Sequence, residues 1–197
     1  MRHQPSIYGG IFLIPTIRER KWTSLRQRLL NIAHEEHIDY QSVLTRFGLE
    51  RFLYRLGKSE HRDALILKNP CLFDSWHKDA ARPVQDLDFL GRRVSDIAEL
   101  KTMIADIANC QVENDELEFD SDNIQAKTIR KASSDYRIAI KITGKIGRTK
   151  IPLRIDIGSE NVGGFNATAT EFPTLLGQEY PDVLVMMRHF EPAIRSV

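Results

Sequence analysis

Two stretches of alternating apolar residues constrain the fold more than any other feature of the sequence. From Tyr136 to Ile142 every second side chain is apolar, and the same alternation returns from Ile151 to Ile157. Because successive side chains of a β-strand point to opposite faces, each stretch predicts a strand with one buried face. Residues 144–150 are predicted to turn between the two strands. The pair is therefore predicted to be a β-hairpin.

Three other segments repeat their apolar residues at the three- and four-residue spacing of an amphipathic helix. They are residues 23–36, 39–57 and 95–109. Thr23 or Ser24 is predicted to cap the first helix, because a hydroxyl oxygen accepts from the unpaired amides at a helix N-terminus. Gly57 is predicted to end the second helix in a left-handed conformation. We expect the first two helices to form a hairpin that covers an apolar surface.

Short apolar runs at residues 65–67, 87–90 and 117–119 predict further strands, the last of them exposed. Along the chain the order is then helices, strands, a helix and strands. This order is typical of a domain in which helices cover the apolar face of a mixed sheet. The predicted fold class is α+β, with a helical hairpin before the sheet.

The charge balance excludes proteins that attract nucleic acid or anionic membranes through their overall field. Lysine and arginine number 28, aspartate and glutamate number 27, and the formal net charge is +1. Any site for a polyanion must therefore be local. Cys71 and Cys110 are too few for a disulfide framework, which favours a reducing, cytoplasmic compartment. The apolar run at residues 11–14 is far too short to span a bilayer, so no membrane partner is expected.

Three aspartates are candidate metal ligands. Asp86 and Asp88 stand two positions apart on a predicted strand, so both carboxylates project from one face. Asp156 has the parity opposite to the apolar residues of its own strand and points to an open face as well. If the two strands are neighbours, the carboxylates converge into a site for Mg²⁺, a hard cation that binds carboxylate and phosphate oxygens. Exposed strand carboxylates without a ligand remain the alternative.

Two further features could contact phosphate. Asn69 and Pro70 follow a predicted strand and suit the first positions of a helix, whose N-terminal amides attract anions. A turn without a ligand is the alternative there. The second feature is a basic run on the predicted hairpin, for which a solvated face is the alternative. The run consists of Lys141, Lys145, Arg148, Lys150 and Arg154.

Several segments, taken in order, resemble the AbiEii/AbiGii family of nucleotidyltransferase toxins. They are LRQRLLN at residues 25–31, RFGLERFLYRL at 46–56, LILK at 65–68, RPVQDLD at 82–88, LRIDIG at 153–158 and FPTLL at 172–176. The resemblance implies a nucleotidyltransferase core of the DNA polymerase β superfamily. It also implies transfer of a nucleoside monophosphate from a nucleoside triphosphate to an RNA acceptor such as the 3′ end of tRNA. A separately encoded antitoxin is the implied protein partner.

The resemblance also assigns roles to residues. It implies that Asp86, Asp88 and Asp156 are the catalytic carboxylates and hold two Mg²⁺ ions. The nucleotide-binding residues that it implies are Lys68, Asn69 and Arg82. It divides the chain into a loosely ordered leader, a helical hairpin, a nucleotidyltransferase-like core and a short C-terminal remnant. The bounds of these four parts are residues 1–22, 23–60, 61–181 and 182–197.

The sequence departs from the family pattern at three places. Asn69 and Pro70 stand where glycines are usual, and Pro70 has no amide hydrogen to offer a phosphate. Val84 stands where a threonine is common. The helical region that family members carry after residue 181, with a lysine that contacts the nucleotide, is expected to be absent. Two alternatives therefore stay open: a truncated, inactive member that only binds antitoxin or RNA, and a metal-dependent phosphodiesterase.

Overall fold

The computed structural model describes residues 15–68, 84–91, 96–113, 115–130, 136–158, 166–171, 174–179 and 181–187. The helices in these ranges are α1 (Ile17–Glu35), α2 (Tyr40–Lys58) and α3 (Ile97–Asn109). The strands are β1 (Leu65–Leu67), β2 (Asp86–Gly91), β3 (Glu118–Phe119), β4 (Gln125–Arg130), β5 (Tyr136–Ile146), β6 (Thr149–Gly158), β7 (Asn166–Glu171) and β8 (Asp182–Met187). A short 3₁₀ helix, Ser121–Asn123, precedes β4. None of the described helices is both long and apolar enough to cross a membrane.

The strands form one mixed sheet. Its order is β3, β5, β6, β2, β1, β8 and β7, and β4 pairs with the same edge of β5 as β3 does. Strand β2 runs parallel to β6, and β1 runs parallel to β8. The other neighbours are antiparallel. The predicted α+β class with a mixed sheet is confirmed.

Helix α2 lies in the middle of the core. It contacts β6 and β8 of the sheet, and α1 and α3 pack against it. Every residue from Arg46 to Leu56 is buried. The helix crosses β6 closely at Gly48, where an added Cβ would lie 2.9 Å from the Leu153 side chain. The helices cover one face of the sheet, whereas Lys141 and Arg154 on the opposite face are exposed.

Three of the four buried charged side chains of α2 lie in ion pairs, whereas Arg51 donates to a backbone carbonyl and its Nε has no hydrogen-bond partner within the described part of the chain. Arg46 donates from Nε to Glu50 Oε1 at 2.8 Å. Burial raises the pKa of Glu50, and the Arg46 guanidinium opposes this rise. Arg55 binds Asp115 with both terminal nitrogens, at 2.8 and 3.0 Å. This bidentate pair fixes the chain before β3 to the helix.

The same helix also holds residues 174–179 against the core. Glu50 accepts from the Leu175 amide at 3.1 Å, and Arg51 donates to the Glu179 carbonyl at 3.2 Å. The Glu179 carboxylate accepts from the Tyr54 hydroxyl and, at 2.6 Å, from the Lys58 ammonium. Phe172 and Pro173 lie outside the described residues.

Helix α1 begins earlier than predicted. Thr16 is its N-cap and forms a capping box with Glu19, so the predicted start at Thr23 or Ser24 is wrong. Its first two turns expose mainly charged side chains, which carry no apolar periodicity to reveal them. The helix therefore starts inside the predicted leader, of which residues 1–14 lie outside the described residues. Helix α3 ends at Asn109 as predicted, and the start predicted at Ser95 is likewise outside them.

Gly57 does not end α2 as predicted. The helix continues to Lys58, and the Ser59 amide donates to the Leu56 carbonyl. A Cβ at Gly57 would lie 2.5 Å from the carbonyl oxygen of Asp182, at the start of β8. Glycine is needed here because the strand backbone passes against the helix, not because the chain turns left-handed.

The β-hairpin is confirmed, but its turn is shorter than residues 144–150. Strands β5 and β6 pair as far as Ile146 and Thr149. The connection is therefore the dipeptide Gly147-Arg148, in which Gly147 has φ +59°. A positive φ favours glycine and is typical of tight hairpin turns, whose twist matches that of the strands.

Residues 182–187, at the start of the predicted C-terminal remnant, form a strand that was not predicted. Strand β8 lies between β1 and β7, and Val183 and Val185 are buried. The sheet of the core thus extends past residue 181. Strands β4 and β7 were not predicted either, because small and polar side chains in QAKTIR and NATATE read as loop.

Candidate active site

The structure brings the three predicted aspartates together on one open face. Parallel pairing of β2 with β6 sets Asp88 directly opposite Asp156 and Asp86 opposite Arg154. The intervening residues Leu87 and Ile155 are buried beneath the helices, so the carboxylates face away from them. This is the convergence expected if the two strands are neighbours.

The three carboxylates differ in exposure. The Asp156 side chain is 3% exposed, whereas those of Asp88 and Asp86 are 32% and 41% exposed. Burial raises the pKa of Asp86, and the charges of Asp88 and Asp156 raise it further. Arg154 and Arg137 oppose that rise. Burial is thus the main cause of the raised pKa of Asp86, and the two neighbouring carboxylates add to it.

Two arginines bind these carboxylates. Arg154 donates to both oxygens of Asp156, at 2.9 and 3.0 Å, and its Nε lies 4.0 Å from Asp86. Arg137 Nη1 lies 3.4 Å from an oxygen of Asp88 and 3.4 Å from an oxygen of Asp156. The hydrogen bonds to Asp156 raise the pKa of Arg154 above its ordinary value. The cluster therefore contains its own cations.

Sequence reasoning did not assign Arg137 to the site and treated Arg154 only as part of a basic run. Both side chains point to the same face of the hairpin as Asp156. Arg154 precedes Asp156 by two residues on β6, and Arg137 on β5 pairs with Gly158, which follows Asp156 by two residues. This alternation is visible in the sequence and places them on the same face. Their contact with Asp88 depends on the neighbouring strand, which the alternation does not specify.

Lys68 lies beside the same cluster. Its amide donates to the Asp88 carbonyl at 2.8 Å, which extends the pairing of β1 with β2. Its ammonium lies 3.3 Å from the place that a Cβ on Gly158 would occupy. Gly158 follows Asp156 by two residues on β6, so this contact is on the carboxylate face. The other predicted nucleotide-binding residues, Asn69 and Arg82, lie outside the described residues.

The comparison with known families decides what kind of protein this is. The model described as nucleotidyl transferase AbiEii toxin, type IV toxin–antitoxin system, matches residues 51–191. The chain belongs to this family. The resemblance seen in the sequence is confirmed, and no curated protein matches the chain significantly. The AbiEii match spans all three aspartates as well as Lys68, Arg137 and Arg154.

Solved structures give more distant matches. The crystal structure of JHP933 from Helicobacter pylori is 12% identical, with a TM-score of 0.42 over 76% of this chain and 53% of that chain. A protein from H. pylori described as a candidate nucleotidyltransferase is also 12% identical, with a TM-score of 0.36 over 71% of this chain and 50% of that chain. This AbiEii chain thus spans about half the length of those structures.

The donor set of the AbiEii cluster fits a hard divalent cation. Three carboxylates share one face, and burial together with the charges of Asp88 and Asp156 raises the pKa of Asp86, so a cation beside it would favour its ionised form. A second group, Glu60, His61 and Asp106, has ligand atoms within 4.8 Å of one another. It is a surface cluster away from the aspartates and has no feature that indicates a ligand.

Proposed function

We propose that this AbiEii protein is a Mg²⁺-dependent nucleotidyltransferase that transfers a nucleoside monophosphate from a nucleoside triphosphate to an RNA acceptor, the 3′ end of tRNA in particular. The observation that carries the proposal is the convergence of Asp86, Asp88 and Asp156 on adjacent strands, flanked by cations. Membership in the AbiEii family supports it. A cognate antitoxin and a cytoplasmic location are part of the proposal.

Asp86, Asp88 and Asp156 are the residues that would hold Mg²⁺. When bound there, the ion supplies neutralisation of phosphate charge and lowers the pKa of an attacking hydroxyl. Neighbouring side chains fix the position of one of these carboxylates and leave the other two accessible to the ion. Asp156 is fixed by two hydrogen bonds from Arg154 and is almost fully buried, whereas Asp86 and Asp88 keep exposed oxygens.

The cations of the site suit a triphosphate. The Arg154 side chain is 47% exposed, so it can exchange part of its contact with Asp156 for a phosphate oxygen. The Lys68 ammonium lies above Gly158 on the same face, where the missing side chain leaves room for it. These groups would orient the α-phosphorus for in-line attack. A bond from the acceptor oxygen to the α-phosphorus forms, the bond to pyrophosphate breaks, and the hydroxyl proton passes to water.

The test is incorporation of label into RNA. Purified protein is incubated with total RNA, Mg²⁺ and each α-labelled nucleoside triphosphate in turn. We expect labelled RNA from the wild type and a loss of about 100-fold or more in Asp86→Asn. Asp122→Asn is the matched control, because Asp122 is an exposed carboxylate outside the cluster. Its activity should equal that of the wild type.

Each other outcome has a definite meaning. If folded wild type labels no RNA with any nucleotide, the transferase proposal fails and the inactive, antitoxin- or RNA-binding reading replaces it. If Asp86→Asn labels RNA as well as the wild type does, the activity does not reside at the carboxylate cluster. Shortening of the RNA without labelling would indicate phosphodiester hydrolysis at these residues.

A further inference from the structure

The open face of the sheet carries a line of cations that begins at the carboxylate cluster. Arg154 stands next to Asp156 on β6, and Lys141 is paired directly opposite it on β5. Lys127 continues the line on β4, where it faces Ala139. Lys150 lies four residues before Arg154 and reaches toward the hairpin turn. We call Lys127, Lys141, Lys150 and Arg154 the basic strip; all four are exposed.

The basic strip contains more positive charge than the protein itself neutralises. Lys141 faces Arg154, and Lys145 faces Lys150, in directly paired positions. Like charges directly opposite each other on a sheet are unfavourable unless an anion lies between or beside them. Arg154 donates a hydrogen bond to Asp156, and the Lys145 ammonium donates to the Asp120 carboxylate at 2.6 Å. Within the described part of the chain, the ammonium groups of Lys127, Lys141 and Lys150 have no such partner.

The shape and chemistry of the basic strip favour a phosphodiester backbone as its ligand. Neighbouring strands are about 5 Å apart, and side chains on one face repeat about every 7 Å along a strand. From Asp156 to Lys150 the strip extends about 20 Å, at about 3.3 Å per residue. Pro152 and Thr143 lie between the cations, and the described positions of this face on β5 and β6 carry no aromatic side chain. These positions therefore provide no aromatic ring on which a base could stack, but their cations can contact successive phosphates.

We infer that the basic strip docks the phosphodiester backbone of the RNA acceptor and leads its 3′ end to Asp86, Asp88 and Asp156. This inference rests on the proposed function for the identity of the polynucleotide as acceptor. Continuity of the strip with the carboxylates favours RNA over an acidic protein, because the reacting end must lie at the cluster while the rest of the strand extends from it. Recognition is through phosphates and is independent of base sequence.

The experiment measures RNA binding without nucleotide, so that no transfer takes place. The probe is a fluorescent RNA hairpin with a single-stranded 3′ overhang, titrated with full-length protein at several salt concentrations. The test variant combines Lys127→Gln, Lys141→Gln and Lys150→Gln. The control combines Arg20→Gln, Lys21→Gln and Lys101→Gln, which remove the same charge from exposed positions on α1 and α3. Urea unfolding verifies that both variants are folded.

We expect the strip variant to bind RNA at least about tenfold more weakly and to lower the slope of log K against log salt by about 2 to 3. The control should stay within about twofold of the wild type. Equal binding and equal slope in the two variants would overturn the inference, as would loss in the control alone. If the strip variant loses RNA binding while wild type transfers no nucleotide, the proposed function fails and the basic strip stands as an RNA-binding surface.

Discussion

Replacing Asp115 with alanine is expected to destabilise the fold by about 3 to 5 kcal/mol, because it leaves the buried Arg55 guanidinium without its counter-ion. Only 7% of the Arg55 side chain and 6% of the Asp115 side chain are exposed. The substitution removes two charge-assisted hydrogen bonds, at 2.8 and 3.0 Å, each worth about 1.5 to 3 kcal/mol. It also removes the acceptor of the Leu117 amide.

Part of that loss is compensated within the structure. Arg55 keeps the carbonyl of Arg51 at 3.2 Å and that of Leu117 at 3.0 Å. The Arg55 guanidinium therefore keeps two of its hydrogen bonds. For this reason we expect the loss of unfolding free energy to stay within the range of about 3 to 5 kcal/mol that is typical of broken buried ion pairs. A domain of this size has a total stability of about 5 to 15 kcal/mol, so the variant should lose a large fraction of it.

Urea unfolding, followed by far-ultraviolet circular dichroism, measures this change. Asp96→Ala is the control, since Asp96 is exposed and its side chain makes no cap hydrogen bond; its loss should be below about 0.5 kcal/mol. The double variant Arg55→Met with Asp115→Leu should recover to within about 2 kcal/mol of the wild type, because no unpaired charge remains. A loss below about 1 kcal/mol in Asp115→Ala would refute the reasoning, since exposed pairs contribute that little.

Three other substitutions test further contacts. Asp86→Asn replaces a carboxylate whose ionised form is disfavoured by burial and by two neighbouring negative charges, so urea unfolding should show a variant as stable as the wild type or up to about 1 kcal/mol more stable, even though transfer is lost; clear destabilisation would contradict this account of the Asp86 environment. Gly57→Ala gains about 1 kcal/mol of helix propensity but sets a Cβ 2.5 Å from the Asp182 carbonyl oxygen, so thermal unfolding should show a net loss of about 1 to 3 kcal/mol. Hydrogen bonding from Lys58 lowers the pKa of Glu179, so its ionised form stabilises the fold above the ordinary glutamate pKa of about 4.3. The Tm of Glu179→Gln should therefore fall below that of the wild type at pH 7, and this gap should close as the pH falls through the pKa of Glu179 in the folded protein; a gap that widens in acid would reverse the sign.

Sequence patterns predicted the parts of this fold that depend on local periodicity. The alternation between Tyr136 and Ile157 gave both strands of the hairpin, and the helical spacing gave the end of α3 at Asn109. The position of Asp156, which alternates with the apolar residues of its strand, correctly predicted that its side chain lies on the open face of the sheet. Each of these follows from side-chain direction along one element, which no distant contact alters.

The parts that could not be predicted depend on contacts between distant elements. Gly57 reads as a helix cap in the sequence, because nothing local shows that the backbone of Asp182 passes against it. No strand was predicted at residues 182–187, because a run of apolar side chains becomes a strand only through pairing with β1 and β7. The pairing of β2 with β6, on which the site depends, joins segments about 60 residues apart; local patterns do not specify it, and in the sequence only the family resemblance implies it.

The charge balance of the carboxylate face links the fold to the proposed chemistry. Three carboxylates crowded on adjacent strands repel one another, and Arg137 and Arg154, which lie among them, offset part of that repulsion. Phosphate oxygens that accept hydrogen bonds from those arginines would release the carboxylates to a divalent cation. Entry of the cation and of the triphosphate should therefore be coupled. Mg²⁺ without nucleotide is expected to bind weakly, and addition of a nucleoside triphosphate should increase its affinity; calorimetric titration that finds equal affinities would contradict this coupling.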